Sequence, residues 1–241
     1  TFLESRLAGQ ALVMLDDLGL LGIVLPEVVA MKGQSQPPAF HPEGDVFTHT
    51  VLMLDRMESR SQDLVFAVLL HDIAKPVTAR ITAERIRFDG HAEQGAEMAK
   101  AIMRRLRFSN DDVETVTQCI LNHMKMLNVP QMRQSTLRRL VGAPTFPLDL
   151  ELHRLDCLAS HGDLTHYHFL ADFARRMAAE PVLPPPWVTG RDIIALGVPE
   201  GPDVGLWRRK AYDAQLEGRF STREELLKSL ADDIRGDGKA G

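Results

Sequence analysis

His71 and Asp72 stand side by side in Leu69-Leu70-His71-Asp72-Ile73-Ala74-Lys75-Pro76, where apolar residues lead up to two consecutive side chains that can both bind a metal. Burying such a pair alone is expensive, and a metal ion is one of few adequate partners. His49 upstream and His91, His123 and Asp156 downstream each lie in or at the edge of an apolar-periodic segment of their own. Imidazole with carboxylate suits Zn, Mn, Fe, Co or Ni, with Mg also open, and residue type alone does not choose among them. His49, His71, Asp72 and Asp156 would complete a mononuclear site with positions left for water and substrate, the condition for catalysis rather than mere structure. An ion there acidifies water and neutralises phosphoryl charge, so the ordered set points to phosphoester hydrolysis. If His91 and His123 turn inward they can hold a second ion with Asp72 bridging; otherwise they can bind phosphate. Lys75, one helical turn beyond His71, either offers a point charge to a phosphate or caps the end of its helix, where a cation opposes the macrodipole.

These residues need helices to position them. Residues 46–57 read as one, carrying His49, with Val51, Leu52 and Leu54 as apolar positions. The next, from about Gln62, is apolar almost all round from Leu64 to Leu70, which marks a central buried helix that Pro76 should stop with the His-Asp pair at its end. Residues 78–88 alternate in a strand-like way, and Asp89-Gly90 supplies a turn before His91. Helices are expected at about 92–107, at 110–124 behind the cap candidates Ser109 and Asn110, and at 148–160. Leu7, Ala11, Leu12, Met14, Leu15 and Leu18 recur at helical spacing near the start, and residues 33–45 hold enough Gly and Pro to form a loop.

Downstream of Asp156, His161, Asp163, His166 and His168 read as a polar loop, alternatively as part of a pocket rim. His41 and His153 carry no usable signal. Residues 181–186 are Pro-rich and read as a stiff linker. Beyond them Thr189-Gly190-Arg191-Asp192 opens a short helix, residues 199–205 form a turn, and 206–216 and 222–230 complete a helical appendage. There Trp207 precedes Arg208-Arg209-Lys210, either a buried anchor beside a solvated basic face or an RNA-facing patch of stacking and charge. The expected organisation is all-α: an N-terminal helical segment (1–36), a metal-binding helical bundle (37–180), a linker (181–188), the appendage (189–235) and a tail (236–241).

At 241 residues, 44% hydrophobic and 25% charged, the chain is long enough for one large domain or one domain with appendages. It has no apolar run long enough to span a bilayer and no secretory leader pattern, so no membrane partner is expected and a soluble, cytoplasmic protein is the default. Two isolated cysteines, Cys119 and Cys157, are too few for a disulfide framework, which leaves His and carboxylate as the metal ligands. The net charge of -5 argues against the whole surface gripping nucleic acid, though a local basic face could. The chain opens at Thr1 with residues 2–7 that look like mid-helix sequence, and it reads as a fragment or a trimmed product. Sequence does not address its oligomeric state.

His49, His71-Asp72 and Asp156 match the motif order of the HD superfamily of metal-dependent phosphohydrolases, an all-helical fold. The resemblance extends to Gly19-Leu20-Leu21 and Leu25-Pro26-Glu27, to Phe40-His41-Pro42-Glu43-Gly44-Asp45-Val46-Phe47-Thr48-His49-Thr50, and to Thr189-Gly190-Arg191-Asp192 with Gly201-Pro202-Asp203-Val204-Gly205. These segments look like the C-terminal, HD-containing region of bacterial CCA-adding enzymes and poly(A) polymerases, over almost the entire chain. In that family a separate N-terminal head adds nucleotides with a Gly-Ser loop and an Asp-x-Asp pair. Neither occurs here, Asp149-Leu150-Glu151 being the nearest spacing, so no nucleotidyl transfer is expected from this chain alone. The resemblance implies an HD domain over 37–180 with 2′,3′-cyclic phosphodiesterase, 2′-nucleotidase or phosphatase activity on nucleotides or RNA ends. It also implies tRNA contact by the appendage through residues such as Arg208, Arg209 and Lys210. Two rival readings are an RNA-supporting body whose ligand set is idle, and a di-iron oxygenase built on the same four histidines and two aspartates.

Overall fold

The computed structural model describes residues 7–58, 61–82, 85–178 and 181–237. Residues 2–6, where the expected N-terminal helix would begin, the tail from 238 and residues 83 and 84 of the strand-like stretch lie outside these. In chain order the helices are α1 (Ala8–Asp17), α2 (Leu21–Val24), α3 (Pro26–Val29), α4 (Val46–Asp55), α5 (Gln62–Leu70) and α6 (Lys75–Thr78). A two-stranded antiparallel ribbon, β1 (Arg80–Ile81) and β2 (Ile86–Arg87), follows. Then come α7 (His91–Arg105), α8 (Asn110–Asn122), a 3₁₀ segment (His123–Gln131), α9 (Gln134–Val141), α10 (Phe146–Ala159), α11 (Thr165–Met177), α12 (Gly190–Ala195), α13 (Pro202–Leu216) and α14 (Arg223–Asp237). The expected all-α class is what the chain adopts, and among the described residues no helix is long and apolar enough to cross a membrane.

The chain divides into two compact units, residues 1–130 with 144–172, and residues 131–143 with 173–241. In the first, α5 is the central helix. Leu64, Val65, Ala67, Val68, Leu69 and Leu70 are all buried, and α4, α8 and α10 lie against it. An apolar surface on every side of the seven residues from Leu64 to Leu70 leaves a helix no stable place but the interior. Ser61 starts α5 by accepting the Leu64 N–H at 3.3 Å, and Asp45 does the same for α4 with the Thr48 N–H at 2.7 Å. A reciprocal Ser109–Asp112 capping box opens α8, as the sequence indicated. Helix α1 closes on α4 at Gly9, where a Cβ would meet the Val51 carbonyl oxygen at 2.5 Å.

Three expectations are corrected. Helix α5 ends at Leu70, and Pro76 does not stop it: the proline is the second residue of α6, where its missing N–H costs nothing. Lys75 therefore opens a helix instead of capping one. His166 and His168 belong to α11 and not to a loop, because Asp163 Oδ1 accepts both the backbone N–H (2.9 Å) and the hydroxyl (2.6 Å) of Thr165 and so caps that helix. In the second unit, Val188, Ile193, Val198, Ala211, Leu226 and Leu230 form a separate apolar cluster. The Pro-rich run lies within this unit, held on α13 by Tyr212 Oη donating to the Pro184 carbonyl (2.8 Å) and Gln215 Nε2 to that of Pro185 (3.0 Å). Trp207 is half-buried against the same cluster, with Lys210 Nζ 4.1 Å from its ring centre, while Arg208 and Arg209 are exposed.

Candidate metal centre

Three of the four singled-out imidazoles sit at helix ends. His71 follows the last residue of α5, His91 is the first residue of α7, and His123 follows the last residue of α8; His49 lies one turn into α4 and Asp156 in the last turn of α10. The Asp89-Gly90 turn delivers His91, since Gly90 has φ 77°, a left-handed conformation that only glycine adopts without strain. All of them come together with Asp72, buried except for Asp156, which keeps partial exposure.

The backs of the rings decide what their fronts can do. His71 Nδ1 lies 2.9 Å from the Val68 carbonyl oxygen, His91 Nδ1 2.7 Å from that of Phe88, and His123 Nδ1 2.6 Å from that of Ile120. Each acceptor is three residues back along the chain. His49 Nδ1 lies 2.6 Å from Glu43 Oε1. Carbonyl oxygens only accept, as does an ionised carboxylate, so these Nδ1 atoms carry a proton, and each ring presents a bare lone pair at Nε2 when it is neutral.

Those lone pairs converge. The Nε2 atoms of His91 and His123 are 3.1 Å apart, with Asp72 Oδ1 3.6 and 4.0 Å from them. His71 Nε2 is 3.1 Å from Asp72 Oδ2, and His49 Nε2 is 3.2 Å from Asp156 Oδ1. Yet neither His49 Nε2 nor His71 Nε2 is aligned for a hydrogen bond, and both are buried beside a carboxylate with no hydrogen-bond partner. Leaving such an atom unsatisfied costs about 1–3 kcal/mol. Ligand atoms about 2.0–2.1 Å from a shared ion fall roughly 3–3.5 Å apart; the His91–His123, His71–Asp72 and His49–Asp156 separations lie in that range, and those from His91 and His123 to Asp72 Oδ1 are longer. The donor set therefore fits divalent metal. It falls into two triplets, His49–His71–Asp156 and Asp72–His91–His123, with ligand atoms in each within 4.8 Å of one another, and Asp72 presents one oxygen to each triplet.

Electrostatics follow from the same contacts. Burial works against ionising Asp72, but His71 and Lys75 hold it well below the usual carboxylate range. Asp156 is likewise held low, against burial, by His49. His123 is pushed down to about 4 by burial and by His71 beside it, and stays neutral. Burial also opposes charge on His49, yet Asp156 and Glu43 raise it to about 9 in the metal-free chain. Lys75 Nζ donates to Asp72 Oδ2 and to Gln36 Oε1, both at 2.6 Å.

Residues without a signal in the sequence complete the arrangement. Glu43 Oε1 accepts from His49 and also from His41 Nδ1 at 2.9 Å, so one carboxylate in the loop before α4 orients two rings. Gln36, from the same loop, reaches Lys75 across 39 residues of sequence. His41 and His153 both line a cavity of about 480 Å³ that Asp72, Lys75, His123 and Asp156 also line. His161 and His166 also line it, as the rim reading anticipated, whereas His168 does not. A residue in a loop has no periodicity, which is why Glu43 and Gln36 are not legible as supports of the site in the sequence. Arg208, Arg209 and Lys210 lie in the second unit and take no part in the metal group.

A helical bundle whose adjacent His-Asp pair meets further histidines and an aspartate defines a class, and residues 45–160 match the HD domain family model. The chain is 33% identical over 231 residues to a CC-adding tRNA nucleotidyltransferase of Thermus thermophilus, an alignment covering 92% of this chain and 52% of that protein. It is 32% identical over 239 residues to an A-adding tRNA nucleotidyltransferase of Deinococcus radiodurans, covering 92% and 54%. A multifunctional CCA protein of Halorhodospira halophila is 43% identical over 97 residues, 39% of this chain and 23% of that one. These similarities are consistent with the HD region of CCA enzymes, and the chain spans about half the length of the first two relatives.

Proposed function

We propose that the first unit is a metal-dependent phosphohydrolase acting on nucleotide or RNA-end phosphoesters, with His49, His71, Asp72 and Asp156 as ligands and His91 and His123 completing a second position. One observation carries this: four imidazoles, each held at Nδ1 from behind, gather around two carboxylates, Asp72 and Asp156, that line an open cavity. A divalent ion held there supplies acidified water near neutrality and charge neutralisation at phosphoryl oxygens. The protein's own part is to hold Asp72 ionised through Lys75, keep His123 neutral, and present Lys75 to the substrate phosphate from the cavity wall. Metal analysis with hydrolysis assays on 2′,3′-cyclic AMP and p-nitrophenyl phosphate tests it. Bound metal with turnover, or turnover restored by Mn, Ni, Co or Fe, is expected; a protein inert after reconstitution with all four overturns it.

A second reading draws on the tRNA nucleotidyltransferases among the relatives and on charge. The second unit carries 14 Lys and Arg against 11 Asp and Glu, whereas the first carries 14 against 22. A basic unit in the same chain as an acidic one suits a module that supports tRNA, with Arg208, Arg209 and Lys210 among its contacts and the metal group idle. Salt-dependent tRNA binding without hydrolysis selects this reading. Iron with oxygen uptake on adding substrate would favour an oxygenase over both.

A further inference from the structure

Asp149-Leu150-Glu151, the spacing nearest to an Asp-x-Asp pair, comes apart in the fold. Glu151 pairs with Arg154 through contacts of 2.7 and 2.8 Å, whereas Asp149 is fully buried. Its Oδ2 accepts Thr145 Oγ1 and Asn122 Nδ2, each at 2.9 Å, and its Oδ1 has no hydrogen-bond partner. A buried carboxylate with one oxygen unsatisfied is a poor stabiliser, and an apolar side chain of similar size packs there at lower cost. Its value lies in what it joins. Asp149 stands on α10 seven residues before Asp156, two turns away and so on the same face, and Asn122 is the last residue of α8, with His123 next. The sense of Asn122 is fixed as well: Lys125 Nζ (2.8 Å) and Gln118 Nε2 (3.1 Å) can only donate, so its Oδ1 faces them and its Nδ2 is left for Asp149.

We propose that Asn122 and Asp149 form a positioning strut that sets the place of His123 in the metal group. The strut ties the helix that carries Asp156 of one ligand triplet to the end of the helix that presents His123 of the other. The bond from His123 Nδ1 to the Ile120 carbonyl fixes the ring relative to α8, and the strut fixes the end of α8 relative to α10. Neither Asn122 nor Asp149 belongs to a ligand triplet, so both act through His123. The inference rests on the second metal position proposed above and is independent of the substrate.

Two readouts on the full chain test the strut. In proton–nitrogen correlation spectra of the imidazoles without metal, Asn122→Ala should speed solvent exchange of the His123 Nδ1 proton by about tenfold or more and leave that of His71 unchanged, which separates the effect from unfolding. In calorimetric titration with Mn, the same variant should weaken the second ion by roughly 10- to 100-fold, the usual effect of removing a group that orients a ligand, and leave the first ion as it is. Asp149→Ala should act alike. The reversed pair, Asp149→Asn with Asn122→Asp, turns the hydrogen bond around and should bring both readouts back to within about threefold of wild type, a rescue that restored packing alone does not give to one partner without the other. Asn122→Ala added to His123→Ala should weaken metal binding no further than His123→Ala by itself, because residues that act as one unit are not additive. Wild-type exchange at His123 or wild-type affinity for the second ion in both alanine variants overturns the strut, as does a reversed pair that behaves like them. A wild-type chain that binds a single ion would sink the second metal position, and the His123 exchange rates then decide the strut by themselves.

Discussion

Glu43 shows how much one carboxylate outside the ligand set can control. Its Oε1 takes the Nδ1 protons of His49 and His41, and its Oε2 is buried without a partner. Glu43→Gln should weaken metal binding by roughly 10- to 100-fold, the usual effect of removing the group that orients a ligating histidine, with metal content after dialysis as the readout. His49 also sets a pH dependence. With its metal-free pKa raised to about 9, the ring is protonated at neutral pH and must lose that proton to ligate. Metal affinity should therefore rise with pH and level off above about 9, and titrations in buffers of different ionisation heat should show proton release from this group that fades over the same range. Release that does not change between pH 7 and 10 would exclude His49 as the proton's source.

At the scale of elements, ligand placement depends on where helices begin and end. His71 and His123 each occupy the position just after a helix, and their Nδ1–H groups satisfy carbonyls of the preceding turn that the helix leaves open. Helix α8 is fixed at its other end by the Ser109–Asp112 box and near His123 by Asp149, which accepts Asn122 Nδ2 and Thr145 Oγ1, each at 2.9 Å. Ser109→Ala should cost about 1 kcal/mol in denaturant unfolding, because the orphan amide at the start of α8 loses its acceptor. Metal stoichiometry should not change, since His123 is held from the opposite end of the helix. A metal-free variant would mean that the position of α8 depends on its cap.

For the molecule as a whole, the proposed readings give the two units different ligands, metal for the first and tRNA for the second. Chelation leaves Asp72, Asp156 and four imidazoles of the first unit without a cation, so it should lower protection from hydrogen exchange in α4, α5, α8 and α10 and leave α13 unchanged. An equal decrease in α13 would show that the units do not unfold separately. Exchanging Arg208, Arg209 and Lys210 together for Gln should flatten the salt dependence of tRNA binding by up to about 0.9 logarithmic units for each phosphate these side chains neutralise, with hydrolysis of p-nitrophenyl phosphate unaffected. An unchanged slope would remove these three residues from the RNA-facing surface.

The amino-acid order alone determined the helical class and the buried character of α5, and it marked His49, His91, His123 and Asp156 as candidates to join His71 and Asp72, because amphipathic periodicity and costly buried polar groups are local properties. It misplaced the end of α5, since Pro76 was read as a stop when a proline is equally at home in the first turn of a new helix. It also passed over α9 and took part of α11 for a loop. Only the tertiary structure decided that His91 and His123 point at Asp72, that Lys75 is committed to Asp72 and Gln36, and that Glu43 and His41 belong to the site. Those facts depend on distances between segments well separated along the chain, 39 residues in the case of Gln36 and Lys75, and on the hydrogen bond behind each imidazole. Neither is encoded in local spacing, because a spacing rule reaches only as far as the helix or strand that repeats it.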